Sequence, residues 1–290
     1  MNMFYSQQAR MVLDKLIGYK VSPILWGQYK NYQLSAGRVQ SVVVKLIIER
    51  EETIQKFTSS SYFKTCGSFC LDKKNNKIDI QTECDTKIEG VDNIKSIMTL
   101  ENNKCLEWKI DSVKKTNTKR NPGAPFITST LQQEASYKLG MSPDTCMKVA
   151  QKLYEAGRIT YMRTDSVTLS DQALSGAASA IAGNYGEEYC QRRTFSNKNG
   201  SAQEAHEAIR PTDFSVNKHN GTSDEEKLYG LIWRRAIASQ MADARLEKTT
   251  ATIDVSNSEE LFVAKGEVII FEGFLKVYLE GTDDENDDEA

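Results

Sequence analysis

Apolar residues recur at three- and four-residue intervals over the first fifth of the chain. Ala9, Val12, Leu13 and Leu16 form one such set, and Val42, Val43, Leu46 and Ile47 another. That spacing predicts helix from Ser6 to about Lys56. Ser22-Pro23 and Ser35-Ala36-Gly37 read as breaks within it. From about Phe57 to Lys119 the texture changes. Tyr62–Thr65 and Lys77–Ile80 predict short strands separated by Asp, Asn and Lys turns. Helical spacing returns from Asn121 to about Arg245. It is clearest over Thr130–Leu139, Pro143–Ala156 and Glu225–Ala242, with surface loops at Arg192–Gly200 and Val216–Ser223. Strands then follow at Thr249–Val255, Leu261–Ala264 and Phe274–Tyr278. The order is β, helical, β. Isolated hairpins are marginal, so the simplest architecture is one β domain whose chain leaves, builds a helical domain and returns. The fold class is α+β and multidomain.

Charge changes this picture only locally. The net charge of −3 argues at first against a nucleic-acid partner. Yet Asp283, Asp284, Glu285, Asp287, Asp288 and Glu289 outweigh that deficit by themselves. The body is therefore mildly basic, and 282–290 reads as an acidic disordered tail. No apolar run approaches a membrane span, and Met1–Gln8 lacks a secretory pattern. No membrane partner and a cytoplasmic location are the expectations. None of the six cysteines forms a C-x-x-C pair. Cys66, Cys70, Cys84 and Cys105 lack a zinc-ribbon spacing. Free buried thiols are the simpler reading, and no metal ligands are assigned.

Four runs carry candidate chemistry. Ile159–Ser166 places Tyr161 two residues from Arg163, with Thr164-Asp165-Ser166 after it. Attack on a phosphodiester needs a nucleophile and a cation to neutralise the transition state, and an arginine fork matches phosphate oxygens. A strand-like segment with a buried tyrosine and an Arg163–Asp165 surface pair would give the same letters. Gln203–Thr212 holds His206, which can donate to a phosphate or move a proton; a helix-end histidine beside acidic neighbours reads equally well. Asn121–Ala135 reads as a proline-fixed entry loop with Ser129 or Thr130 capping a helix. Lys114, Lys115, Lys119 and Arg120 form a basic stretch upstream of it. Gln7–Tyr19 and Leu34–Ser41 form the fourth run, in which Arg38 with Gln40 read as phosphate and sugar contacts and Gly37 allows close approach. A tight helix–helix turn and an Arg10–Asp14 surface pair are the bland alternatives.

Each run is ambiguous alone, but their order and spacing are not. SAGRVQS, PF-x-TSTLQQEA, LYE-x-G-x-ITYMRTDS and QEAHEAIRP resemble type IA DNA topoisomerases over about Asn2–Glu280. The forms SAGRVQS and TYMRTDS look more like the bacterial topoisomerase I branch. This resemblance implies a toroid core: residues 1–56 in a helical gate domain, 57–120 and 247–281 in a β arch, and 121–246 in a helical lid. It implies Tyr161 as the nucleophile forming a 5′-phosphotyrosine with single-stranded DNA. Arg163 would assist the phosphate, and Glu155 and His206 would belong to the same site. Arg10, Asp14, Tyr19 and the loop Ser35, Ala36, Gly37, Arg38, Val39, Gln40 match DNA-contacting positions. The activity implied is strand passage that relaxes negative supercoils without ATP. A tyrosine phenol is protonated at neutral pH and must surrender its proton during attack.

There are departures from the pattern. Met11 and Lys15 stand where the family usually has arginine, which puts base preference in doubt. Nothing matches the family's acidic metal-binding domain, so the implied Mg2+ would have its ligands outside this chain. An excised piece, a truncated product and one part of a split enzyme with a partner chain all fit. The alternative is a catalytically idle single-stranded DNA-binding fragment.

Overall fold

The computed structural model describes residues 2–73, 76–84, 87, 89, 107–196, 207–256 and 261–279. The chain forms two compact units, Met1–Tyr62 and Phe63–Ala290. The acidic tail lies outside the described residues.

The first unit holds α1 (Asn2–Tyr29) and α2 (Arg38–Lys56). The expected break at Ser22-Pro23 is absent, because α1 runs through Pro23. An interior proline costs about 3 kcal/mol. Here the returning chain braces that turn: Trp26 Nε1 donates to the Leu34 carbonyl at 2.6 Å, and the Ala36 amide donates to Ser22 Oγ at 3.0 Å. The reversal begins at Lys30, whose φ of 52° is left-handed. The apolar stripe at Val42, Val43, Leu46 and Ile47 stays largely exposed within this unit.

The second unit combines one antiparallel sheet with a helical core. Its strands are β1 (Cys66–Lys73), β2 (Asn76–Cys84), β3 (Trp108–Arg120), β4 (Ala244–Val255) and β5 (Leu261–Phe271), in spatial order β1-β2-β5-β4-β3. The helices are α3 (Thr128–Leu139), α4 (Pro143–Glu155), α5 (Asp171–Tyr185) and α6 (Ser223–Ser239). Successive strand side chains face opposite ways, and β4 uses both faces. Ala244 and Leu246 join the helical core, whereas Ile253 and Val255, of opposite parity, pack with Cys84 and Phe262. The ribbon between these cores is exposed, and its charges pair across strands: Lys115 with Glu247 at 2.7 Å and Arg120 with Glu267 at 2.8 Å. Two of the four cations of the basic stretch are thus paired in place.

Three further expectations are corrected. Tyr62–Thr65 makes only a single bridge residue at Phe63, and the first strand starts at Cys66. Phe274–Tyr278 is not a strand, because Gly273–Lys276 forms a 3-10 turn. Gly273 has φ +52°, and the Phe274 amide bonds the Ala242 carbonyl at 3.0 Å. Phe274 and Tyr278 then reach the helical core together, since a four-residue spacing shares a face in a turn as in a strand. Finally, neither Ser129 nor Thr130 is the N-cap residue of α3, although Thr130 caps from inside the first turn. That helix starts at Thr128, and the Thr130 hydroxyl accepts from the Ile127 amide at 3.1 Å.

The cysteines are not uniformly buried. Cys84 and Cys146 are, Cys190 is half-buried, and Cys66 and Cys70 are exposed. Burial pushes the Cys146 thiol up to about 11.

Candidate functional site

The sequence around Tyr161 is shaped by the end of α4. Gly157 takes φ +67°, the Gly157 amide bonds the Tyr154 carbonyl, and the Arg158 amide bonds the Leu153 carbonyl, both at 2.8 Å. This left-handed glycine stops the helix and turns the chain outward. Leu153 is buried beneath, while Tyr154 and Glu155 point to solvent.

The chain that follows is irregular but held on both sides. On one side it pairs with the segment after His206. Ile159 bridges Pro211, the Thr160 amide donates to the Arg210 carbonyl at 2.9 Å, and the Thr212 amide donates to the Arg158 carbonyl at 3.0 Å. The Thr160 hydroxyl donates to the Ala208 carbonyl at 2.7 Å and accepts from the Arg210 amide at 2.9 Å. On the other side stands Thr128. Its amide donates to the Thr164 carbonyl at 3.0 Å, and its hydroxyl lies 2.8 Å from the Met162 carbonyl. The same hydroxyl accepts from the Thr164 amide at 2.9 Å. Phe126 bridges Ile209, which closes the layer. Three motifs far apart in sequence thus share one backbone network.

The partner segment is itself fixed. Glu207 accepts from the Ser170 amide at 2.6 Å and pairs with Arg210 at 2.6 Å. Burial alone would raise its pKa. The Ser170 bonds and the Arg210 guanidinium outweigh that and hold it below the ordinary glutamate value.

The alternation of this loop decides what it presents. Met162, Thr164 and Ser166 are buried, whereas Tyr161, Arg163 and Asp165 are exposed. Tyr161 is 39% exposed, and its ring meets that of Tyr154 edge-on, 5.3 Å between centroids. Among the described residues Arg163 makes no ion pair, so the Arg163–Asp165 surface pair is not formed. Glu155 ends α4, and its carboxylate accepts from Gln151 Nε2 at 2.7 Å. An exposed phenol and an available guanidinium two residues apart suit attack on a phosphate diester.

Arg10, Asp14, Tyr19, Ser35 and Ala36 come together in the first unit. They line a groove of about 860 Å3 along α1, with Trp26 at one end. Gly37 precedes α2, Gln40 holds the Ser35 hydroxyl at 3.0 Å, and Val39 is exposed. The side chain of Arg38 and the whole of His206 lie outside the described residues.

Thr128 was not legible as a site residue, because its letters fit an ordinary helix start. His219, read as part of a polar loop, is largely buried. Its ring lies 5.8 Å from that of Tyr229, and its Nδ1 has no hydrogen-bond partner among the described residues. No group of three or more His, Cys, Asp or Glu side chains is placed to hold a metal ion among the described residues. The described donors near Tyr161 therefore do not make a Mg2+ site of their own. Among the described residues no helix is long and apolar enough to cross a membrane.

An α+β chain with this tyrosine–arginine loop is matched over residues 1–290 by a family model for DNA topoisomerases. The chain belongs to the type IA DNA topoisomerases, on the bacterial topoisomerase I side of that family. The "DNA topoisomerase 1 type prokaryotic" of Acanthamoeba polyphaga mimivirus is 42% identical over 315 residues, covering 99% of this chain and 37% of that protein. The DNA topoisomerase 1 of Synechocystis is 40% identical, over 98% of this chain and 34% of its own length. The full-length topoisomerase I of Thermotoga maritima superposes with a TM-score of 0.73 at 34% identity, over 95% of this chain and 45% of that one. The chain thus spans between a third and two-fifths of the length of these two curated relatives.

Proposed function

We propose that this chain is the strand-cleaving core of a type IA topoisomerase, with Tyr161 as its nucleophile. The Tyr161 phenol oxygen bonds to the phosphorus of a single-stranded DNA phosphodiester. The phosphorus–3′-oxygen bond breaks, the 3′-oxygen takes up a proton, and a 5′-phosphotyrosine remains. Attack by the same 3′-hydroxyl on that phosphotyrosine reverses each change. One phosphodiester is exchanged for another, so no ATP is consumed. Arg163 neutralises the phosphate oxygens as charge develops, and Glu155 and His206 serve the same site. Passage of a second strand through the break would relax negative supercoils.

The observation that carries this reading is the backbone network that pins Thr160 to Thr164 from both flanks while turning Tyr161 and Arg163 outward. Fixed presentation of a nucleophile and a cation is what in-line attack requires. In the same reading residues 1–56 belong to the gate domain, 57–120 with 247–281 to the arch, and 121–246 to the lid. The α1 groove with Arg10, Asp14 and Tyr19, and the Ser35–Gln40 loop, would bind the strand. Mg2+ ligands and the remaining gate would come from chain outside these residues, in the same protein or a partner, and the setting would be cytoplasmic, with nucleoid association in a bacterial source.

The test is covalent trapping. The chain is incubated with a labelled single-stranded oligonucleotide and magnesium, alone and with the unmatched part of the Synechocystis relative, then denatured. Label should move with protein and vanish in Tyr161→Phe. An adduct only with the added part means a divided site. No adduct in either arm, with DNA binding retained, would replace this reading with an idle single-strand-binding module.

A further inference from the structure

Tyr154 has no part in the chemistry above, yet it stands beside it. It lies in the last turn of α4, 41% exposed, with its ring 5.3 Å from that of Tyr161 at an interplanar angle of 67°. Among the described residues its hydroxyl makes no hydrogen bond. Beyond this edge contact a large part of the ring stays open to water at a helix end. Lys152, Arg158 and Arg163, all exposed, flank it along the chain. Exposed aromatic rings interleaved with cations are the arrangement on which single strands stack their bases while their phosphates are neutralised. The 5.3 Å between the rings is less than two base steps of a stacked strand, at about 3.4 Å each. A base on Tyr154 therefore belongs to a nucleotide adjoining the phosphate that faces Tyr161.

We infer that Tyr154 is a stacking platform for a nucleobase next to the scissile phosphate, and that it sets the register of the strand over the nucleophile. The inference rests on the proposed placement of single-stranded DNA over Tyr161, but not on cleavage. Binding is therefore measured in the 290-residue chain carrying Tyr161→Phe, by fluorescence anisotropy with a short oligonucleotide in which one abasic site is walked along the strand. Tyr154→Ala should weaken binding about tenfold, the scale of one base–aromatic stack. Phenylalanine should restore affinity, and leucine, apolar but not planar, should not. At one abasic position the alanine penalty should disappear, because the base that stacks is already gone.

A purely structural role for Tyr154 would give the same penalty at every abasic position, and that additivity would overturn the inference. So would alanine binding as well as tyrosine, or leucine binding as well as phenylalanine. Position-specific coupling without a Tyr161-dependent adduct would retain the platform and discard the nucleophile. An adduct without coupling would do the reverse.

Discussion

Replacing Thr128 by alanine removes one hydroxyl that serves the Tyr161 loop twice. The hydroxyl lies 2.8 Å from the Met162 carbonyl and 2.9 Å from the Thr164 amide, and both residues are buried. Alanine would leave the Thr164 N–H without a partner away from water, at about 1–3 kcal/mol, and would cost the Met162 bond about 1 kcal/mol more. The Thr128 amide bond to the Thr164 carbonyl remains, so the loop loosens rather than leaves. A total of roughly 2–4 kcal/mol is large against a domain stability of about 5–15 kcal/mol. It should appear first in hydrogen exchange of the Thr164 amide, accelerated by about tenfold or more in Thr128→Ala. Serine retains the hydroxyl and should restore protection. If Thr128 acts on Tyr161 through this loop, adduct formation falls with the loosening while single-strand affinity changes little, since small misplacements cost reaction rate steeply. Unchanged protection of Thr164 in the alanine variant would refute the reasoning at its base. Lost protection with an unchanged adduct rate would show that the loop's order does not position Tyr161.

Three more outcomes follow from the same geometry. Glu207 has a depressed pKa, so its contribution to stability is present above the ordinary glutamate value of 4.5 and is lost as pH falls through its lower folded value. Thermal melts should therefore steepen in acid dependence below that range, and Glu207→Gln should flatten the profile. Cys66 and Cys70, exposed, should alkylate in the native chain, whereas Cys146, buried with its thiol at about 11, should label only on unfolding, as peptide mass mapping would report. Gly273→Ala would place a methyl 2.4 Å from the Ala242 carbonyl oxygen at a φ of +52°. The strain alone is about 1–3 kcal/mol, so its urea midpoint should fall more than that of Gly266→Ala, where a methyl meets nothing.

What the sequence made legible was what depends on local physics. The Gly157 helix stop, the helices read at Thr130–Leu139, Pro143–Ala156 and Glu225–Ala242, and the strands at Lys77–Ile80, Thr249–Val255 and Leu261–Ala264 appear close to where the spacing of apolar and turn residues put them. What failed depended on partners distant in sequence. Pro23 sits inside α1 because Leu34 and Ala36 return to brace it, and no local signal announces that return. Phe274–Tyr278 satisfies the pattern of a strand and of a turn alike, and only the Ala242 carbonyl selects the turn. His219 has the neighbours of a solvated loop, yet Tyr229 is folded against it.

Thr128 illustrates why site residues divide in the same way. Tyr161 and Arg163 are recognisable because their own chemistry is distinctive, but neither can hold itself in place. Between and beside them Met162 and Thr164 are buried, and irregular backbone buried there must find partners elsewhere. Those partners are hydroxyls and amides of ordinary residues, Thr128 before the loop and Ala208 to Thr212 after it. The exposure of Tyr161 and the fixity of its loop are therefore one arrangement: two side chains face outward because two other segments bond the polar groups of Thr160, Met162 and Thr164 that turn inward.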